Sequence, residues 1–420
     1  MSESTASLPP IHLALFLHTL AGGGAERNLV RLANSLSRRG HRVEFVLGEE
    51  RGPLLSSLDP AIDVRVLGRP GWVRSMLDLV KLPSQVRHQL GSDLWKPKPN
   101  VLRFVGPLTG YLRENKPDVL LTSVTKNALV ALYAREQAAV ATRVVVREAN
   151  SLGHETSRLG EVRRTRMLGL VREAYPKADG IVCVSEGVAQ ELMSLTGGVL
   201  DDVRAIYNPI DAAAVAKQAG KVLNDDWFAE GRPPVVLAAG RLNAQKRFGD
   251  LLNAVAIVRK QMPCRLLILG EGPAREELAI RASELGFGED FRLEGFVENP
   301  YAFMSRASVF VLSSEWEGFP NVLLEALASG CPIVSTDCEF GPSELLDGGR
   351  YGSLVDVGDI ETMAARVVEA LSSQHDPERL RERARFFDPD RCDDAYLEAL
   401  VGIPATGRPS EATTGTLSSP

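Results

Sequence analysis

The sequence predicts an α/β protein made of two Rossmann-like domains, each built on a parallel sheet, that face one another across a cleft. Short apolar runs of strand length alternate with segments whose apolar residues recur at helical spacing. This alternation is typical of parallel strands joined by right-handed crossovers. Polar loops follow the strands in both halves, and 420 residues suffice for two domains of ordinary size.

The order of the elements predicts the domain boundaries. We expect an N-terminal domain over residues 1–212, a connector over 213–234 and a C-terminal domain over 235–384. A last helix is expected over 385–402. Residues 403–420 are rich in Pro, Ser, Thr and Gly, and this composition predicts a disordered tail.

The composition excludes several classes of protein. Apolar residues make up 44% of the chain and charged residues 24%, which is typical of a globular protein, and the net charge of −6 argues against a nucleic-acid partner. Five scattered cysteines without a C-x-x-C pair predict reduced thiols in a cytoplasmic protein and no zinc site. No apolar run approaches the ~20 residues of a membrane span, and we expect no signal peptide.

In the N-terminal half, the first predicted strand (residues 11–17) is followed by the string AGGGAER and an amphipathic helix. Three consecutive glycines allow the backbone to approach another molecule closely and to aim N–H groups at an anion. The string is not G-x-G-x-x-G, so the dinucleotide fingerprint is missing. The alternative interpretation is a plain tight turn.

A basic segment follows at residues 69–113, with eight Lys or Arg residues against two Asp residues in a chain of negative net charge. Its predicted helix has an apolar face and a basic face, as in helices that rest on anionic membranes. We therefore expect a peripheral contact with the inner face of a membrane. The alternative is an ordinary helix pair that covers the sheet and turns its basic face to solvent.

In the C-terminal half, the string GRLNAQK follows an apolar strand, and it places Arg241 and Lys246 on a loop at the carboxyl end of that strand. Ligands of open α/β sheets bind at this edge. Two fixed cations suit a diphosphate, since they stabilise the negative charge that grows on it as a sugar–phosphate bond breaks.

The stretch SSEWEGFPNVLLEALASGCP, which begins at residue 313, predicts a loop and a helix after a buried strand. Pro320 suits the first helical position, because its missing N–H costs nothing there. Glu317 lies in the loop and Glu325 inside the helix. The backbone N–H groups at the start of the helix, those of Asn321, Val322 and Leu323, have no partner within the helix. They predict an anion site between the two carboxylates. Phosphate flanked by hydroxyl groups is the layout of a nucleotide-sugar.

EGFPNVLLE resembles the E-x7-E signature of retaining glycosyltransferase family 4, the glycosyl transferases group 1, whose enzymes have the two-domain GT-B fold. GGGAER resembles the first loop of these enzymes, GRLNAQK their diphosphate clamp and IYNPID their domain exit. The resemblance implies retaining transfer of a sugar from a UDP- or GDP-sugar to a glycan or lipid-linked acceptor, in cell-surface polysaccharide or glycolipid biosynthesis. It also implies that the last helix crosses back to the N-terminal domain.

The resemblance implies a role for each matching residue. Glu317 would contact the donor sugar, Arg241 and Lys246 would hold the diphosphate, and Glu325 would bind the ribose. The remaining expected contacts are Gly23 and Gly24, and more loosely Glu26 and Arg27, near the diphosphate and acceptor; Phe296 and Val297 at the base, through main-chain groups; and Gly318, Phe319, Asn321 and Val322 around the diphosphate. Neither a metal nor a separate cofactor is required on this account.

The sequence departs from the family at one position. Many relatives carry a histidine after an Arg-Glu pair, whereas Arg147 and Glu148 are followed here by Ala149. His154 or Glu148 could act near the donor sugar instead. The departure favours an alternative, a nucleotide-sugar-binding regulator or non-catalytic synthase subunit. A glycoside hydrolase with a carboxylate pair is a further alternative, but it leaves the two cations and the glycine loop unexplained.

Overall fold

The computed structural model describes residues 9–68, 84 and 101–404. Two parallel sheets form its framework. The first sheet, which defines the first lobe, contains β1 (His12–Leu17), β2 (Arg42–Leu47), β3 (Asp63–Val66), β4 (Val119–Ser123), β5 (Arg143–Glu148), β6 (Gly180–Cys183) and β7 (Val203–Ala205). The second sheet, which defines the second lobe, contains β8 (Val235–Ala239), β9 (Arg265–Leu269), β10 (Phe291–Gly295), β11 (Val309–Leu312), β12 (Ile333–Thr336) and β13 (Ser353–Val355).

Helices connect the strands and cover the sheets. Those of the first lobe and the exit from it are α1 (Gly24–Arg38), α2 (Val105–Asn115), α3 (Thr125–Ala138), α4 (Leu152–Ser157), α5 (Glu161–Ala174), α6 (Glu186–Thr196) and α7 (Ala212–Ala219). The later ones are α8 (Phe248–Arg259), α9 (Arg275–Glu284), α10 (Pro300–Met304), α11 (Asn321–Ser329), α12 (Pro342–Leu345), α13 (Ile360–Ser372), α14 (Pro377–Arg385) and α15 (Pro389–Val401).

The strand order reverses once in each sheet. The first sheet runs β3-β2-β1-β4-β5-β6-β7 and the second runs β10-β9-β8-β11-β12-β13. The reversals lie between β1 and β4 and between β8 and β11, where the loops at the carboxyl ends diverge and leave a crevice. The predicted pair of Rossmann-like parallel-sheet domains is confirmed.

The central strands owe their burial to helices on both faces of each sheet. All five residues of β8 are buried, and so are the last five of β1. Strands that are buried on both faces have continuous apolar runs in their sequence. These segments therefore predict strands although polar and apolar residues do not alternate in them. The helices turn apolar stripes to the sheets; in α1 the stripe consists of Leu29, Val30, Leu32, Ala33 and Leu36.

The end of the chain joins the two lobes. Helix α14 packs against α11 of the second lobe, and α15 packs against α1, β4, β5 and β6 of the first. Helix α15 begins where the Asp388 side chain accepts hydrogen bonds from the backbone N–H groups of Asp390 and Arg391. The prediction that the last helix crosses back to the N-terminal domain is confirmed.

Other predicted segments are described only in part. The predicted connector, residues 213–234, begins within α7, which packs against α10 and α11 of the second lobe. Most of the basic segment 69–113 lies outside the described residues, as do residues 405–420 of the expected tail. Within the described part of 69–113, α2 buries Val105, Leu108 and Leu112 in the core. No helix among the described residues has the length and apolar character needed to cross a membrane.

Candidate active site

Three charged candidate residues of the second lobe lie where its strand order reverses. Arg241 and Lys246 lie on the loop after β8, and Glu317 lies on the loop after β11, the neighbouring strand. The Lys246 ammonium donates to the Glu317 carboxylate, with 2.5 Å between Nζ and Oε1. The structure therefore brings together two of the three residues predicted to carry the chemistry.

Glu317 is held on one side only. Its Oε1 also accepts a hydrogen bond from the Ser314 hydroxyl at 2.6 Å, and its backbone N–H donates to the carbonyl of Glu339 at 3.3 Å. The residue is 8% exposed. Within the described part of the chain Oε2 has no hydrogen-bond partner, so this oxygen is available to a ligand.

Further hydrogen bonds join the same two loops. The Ser313 hydroxyl donates to the Lys246 carbonyl at 2.7 Å, and the Gln245 side chain donates to the Trp316 carbonyl at 2.8 Å. Arg241, in contrast, is exposed and forms no hydrogen bond or ion pair with any residue that the structure describes. It shares the loop with Lys246 but stays free to meet an anion from solvent.

Helix α11 begins beside the first lobe. Asn321 is its first residue, after Pro320, and Asn321 and Val322 are half-buried. A Cβ on Gly24 would lie 3.2 Å from Asn321 Nδ2, so the glycine loop of the first lobe contacts the positive end of the helix. Phe319 is buried, and its ring packs against Tyr207 and Phe387, so only its backbone can reach a ligand.

The glycine loop already holds a carboxylate. The backbone N–H groups of Gly22 and Gly23 both donate to Glu26 Oε2, each at 2.7 Å. Glu26 thereby caps the start of α1 from its third position. Two of the amides expected to face an anion are thus satisfied inside the loop.

Glu325 lies one turn inside α11 and is half-buried. Burial raises the pKa of its carboxyl to about 7, and the positive charge of Arg27 in the first lobe acts in the opposite direction. The Glu325 carboxyl therefore lies within electrostatic range of Arg27, a charge of opposite sign on α1.

The seam between the lobes passes through Gly318. A Cβ at this position would lie 2.4 Å from the Ala149 carbonyl oxygen of the first lobe, so the close approach requires glycine. The Gly318 carbonyl also accepts a hydrogen bond from the Ser185 hydroxyl of the first lobe at 2.9 Å. The loop that carries Glu317 is thereby held against the first lobe.

The two first-lobe candidates for a role near the donor sugar have other partners. The His154 ring stacks on Trp316, with 5.2 Å between centroids, and its Nε2 lies 2.7 Å from Glu339 Oε2. Glu148 is buried and accepts a hydrogen bond from the Tyr175 hydroxyl. Burial raises the pKa of Glu148 to about 8. His154 thus borders the loop of Glu317 without touching that residue, and Glu148 belongs to the interior.

Phe296 and Val297 follow β10, which is separated from β8 by β9. They therefore lie at the same edge as the charged pair but about 10 Å along it, since neighbouring strands are about 4.8 Å apart. Phe296 is 72% exposed, and Val297 packs against the core. The structure does not bring these two residues into contact with the other candidates.

The structure adds Asn208 and Arg147, for which the sequence analysis predicts no role. Asn208, at the exit from the first lobe, donates from Nδ2 to Asn321 Oδ1 at 2.9 Å and accepts at Oδ1 from Arg147 Nη2 at 2.7 Å. The only sequence signal for Asn208 is the Asn-Pro dipeptide in IYNPID, which predicts a turn.

Among the described residues no group of three or more His, Cys, Asp or Glu is placed to hold a metal ion.

Comparison with known proteins identifies the family to which the chain belongs. The model of Glycosyltransferase Family 4 matches residues 22–214, and that of Glycosyl transferases group 1 matches residues 233–373. One relative, from Campylobacter jejuni, is N-acetylgalactosamine-N,N'-diacetylbacillosaminyl-diphospho-undecaprenol 4-alpha-N-acetylgalactosaminyltransferase, 28% identical over 93% of this chain and 99% of its own. Another, the lipopolysaccharide core biosynthesis glycosyltransferase LpsE of Rhizobium meliloti, is 29% identical over 91% of this chain and 97% of its own.

Solved structures show the same fold. HepE of Anabaena, in complex with UDP and glucose, superposes with a TM-score of 0.73 at 19% identity, over 94% of this chain and 100% of its own. The lipopolysaccharide outer core galactosyltransferase WaaB superposes with a TM-score of 0.68 at 20% identity, over 93% and 99% of the two chains. The predicted GT-B fold is confirmed. Because the two family models together match more than half of the 420 residues, the chain belongs to glycosyltransferase family 4, the glycosyl transferases group 1.

Proposed function

We propose that this glycosyltransferase moves a sugar from a UDP- or GDP-sugar to a glycan or lipid-linked acceptor, with retention of anomeric configuration, in cell-surface polysaccharide or glycolipid biosynthesis. One observation carries the proposal. The Lys246–Glu317 pair joins the loops after β8 and β11 at the strand-order reversal of the second sheet, and the glycine loop of the first lobe faces the start of α11, the helix that follows Glu317.

This arrangement suits the charge changes of glycosyl transfer. The diphosphate would lie at the start of α11, near Lys246 and Arg241, and the free Oε2 of Glu317 would meet the sugar. As the bond from the sugar C1 to the phosphate oxygen breaks, negative charge grows on that oxygen, and nearby cations and helix amides stabilise it. The same oxygen takes the proton of the acceptor hydroxyl, whose oxygen bonds to C1 on the face that the phosphate leaves. A metal ion is not needed for this step.

The relatives support the donor and acceptor classes. The HepE structures hold UDP, UDP with glucose, or UDP-glucose. The name of the Campylobacter jejuni relative gives a diphospho-undecaprenol acceptor, and those of other relatives give lipopolysaccharide core biosynthesis. We therefore favour UDP-sugars among the donors, and a lipid-linked acceptor or the lipopolysaccharide core among the acceptors.

A cytoplasmic site of action at the inner face of a membrane follows from a lipid-linked acceptor. The basic segment 69–113 would supply the contact, and its positive charge predicts binding to anionic vesicles that weakens as salt is added. Sedimentation with phosphatidylglycerol vesicles measures this binding. Equal binding to neutral phosphatidylcholine vesicles would contradict the electrostatic part of the proposal.

A non-catalytic nucleotide-sugar-binding subunit is the second candidate, because Ala149 replaces the histidine that many family members carry. Two measurements separate the candidates. A thermal-shift screen of nucleoside diphosphates and their sugars identifies the donor, and transfer to undecaprenyl-diphosphate-linked sugars, followed by NMR of the new anomeric centre, tests the reaction. Retained configuration supports our proposal, and inverted configuration contradicts it. Donor binding with neither hydrolysis nor transfer supports the non-catalytic subunit.

A further inference from the structure

Arg147 is a buried cation without an anionic partner. It is 1% exposed, at the end of β5. Its guanidinium donates to the Tyr396 hydroxyl at 2.8 Å, the Ser123 hydroxyl at 3.4 Å and Asn208 Oδ1 at 2.7 Å. No carboxylate of the described residues forms an ion pair with it. Burying an unpaired charge is costly, so its presence points to a role beyond packing.

The chemistry of arginine fixes the orientation of two asparagines. A guanidinium has five donors and no acceptor, so Asn208 has to turn its Oδ1 toward Arg147. Its Nδ2 then faces Asn321, and because Nδ2 can only donate, Asn321 has to present Oδ1. The remaining end of Asn321 is therefore its Nδ2 donor. This deduction depends on donor and acceptor types alone, and it holds whichever way the amides are first drawn.

The free donor of Asn321 points to the place where the lobes meet. Its Nδ2 lies 3.2 Å from the position of a Cβ on Gly24, at the start of α11. No acceptor among the described residues takes a hydrogen bond from it. Unlike the backbone amides of the helix, a side-chain amide could present either its donor or its acceptor to a ligand. The chain of hydrogen bonds from Arg147 through Asn208 to Asn321, which we call the relay, removes this choice.

We propose that Arg147 and Asn208 are positioning residues, which lock the Asn321 side chain so that its Nδ2 donates to the diphosphate of the nucleotide-sugar. The inference rests on the proposed function and deepens it. Arg147 is anchored by Tyr396 of α15, the helix that crosses back, and Asn208 lies at the exit from the first lobe. The Nδ2 donor of Asn321 is thus presented to the ligand only when the two lobes are held together as they are here.

The substitution Asn208→Asp tests the relay without touching the site. A carboxylate accepts from Arg147 with one oxygen and can only accept with the other, so Asn321 has to turn its Nδ2 to residue 208 and its Oδ1 to the ligand. We expect the Kd for UDP to rise about 10- to 100-fold, since a charge-assisted hydrogen bond is exchanged for a repulsion. We expect binding of uridine, which has no phosphate, to be unchanged, and the Tm to stay the same or rise.

A matched control is available on the surface of α8. Asn253 Oδ1 accepts from Arg281 Nη2 at 2.8 Å, so Asn253→Asp places the same carboxylate beside an arginine outside the cleft. The Kd for UDP should not change in this variant. A rise of similar size would show that the added charge acts through its long-range field.

A double-mutant cycle separates the relay from local repulsion by the new charge. Asn321→Ala alone should weaken UDP binding, and Asn208→Asp should then have no further effect, because no amide is left to turn. An equal further loss in the Asn321→Ala background would overturn the relay. Wild-type protein that binds none of UDP, GDP, ADP and dTDP would instead contradict the proposed function itself, so the two failures are distinguishable.

Discussion

The Lys246 ammonium and the Glu317 carboxylate form an ion pair, 2.5 Å apart, that joins the loops after β8 and β11. Both side chains are mostly withdrawn from water, with exposures of 14% and 10%. Removing one partner of such a pair leaves a charge without compensation, which costs up to roughly 3–5 kcal/mol when burial is complete. Substitutions here therefore affect stability as well as chemistry, and both have to be measured.

Glu317→Gln isolates the chemical role of the carboxylate. The amide keeps an oxygen that can accept from Ser314 and Lys246, but it loses the negative charge that would face the donor sugar. We expect kcat/KM for transfer to fall by roughly 100-fold or more, and Glu317→Ala to abolish transfer while the protein stays folded. Steady-state kinetics with Tm in parallel measure this. Normal turnover in either variant would remove Glu317 from the site.

Glu325 predicts a pH dependence of donor binding. The ionised carboxylate accepts hydrogen bonds from ribose hydroxyls, and burial raises the pKa of this group to about 7. Because the ligand favours the deprotonated form, affinity for UDP should increase from pH 6 to pH 8. Isothermal titration across this range measures it, and Glu325→Gln should flatten the profile. A dideoxyribose analogue provides the control, since its binding to the wild type should lack the same dependence.

Gly318→Ala tests the contact between the lobes. The added Cβ would lie 2.4 Å from the Ala149 carbonyl oxygen, a distance that van der Waals repulsion forbids, so the lobes have to separate or the loop has to move. We expect a large loss of kcat with a larger radius of gyration in small-angle scattering. Gly249→Ala, at a helical glycine with open space around it, is the matched control and should behave as the wild type. An unchanged radius of gyration would show that the loop yields instead.

The sequence was informative where the signal is local. The sequence assigns Lys246 and Glu317 to one ligand site, and each follows a run that predicts a buried strand. The internal role of Glu26 was missed, although its position three residues after the Gly23 cap follows a known pattern. The contact between Asn208 and Asn321 could not be predicted, since it spans 113 residues and depends on how the lobes meet.

The last prediction concerns Glu148, which is buried beside Tyr175 and accepts a hydrogen bond from its hydroxyl. Burial raises the pKa of its carboxyl from an ordinary 4.5 to about 8 in the folded protein. A raised carboxyl pKa contributes stability that is fully present below pH 4.5 and is lost as the pH rises toward 8, because the folded protein then has to hold a buried charge. Glu148→Gln cannot ionise, so its Tm relative to the wild type should increase steadily from pH 5 to pH 8. Thermal unfolding at several pH values measures the difference, with Glu289→Gln at an exposed site as the control. A difference in Tm that stays constant over this range would show that Glu148 is already ionised at pH 5.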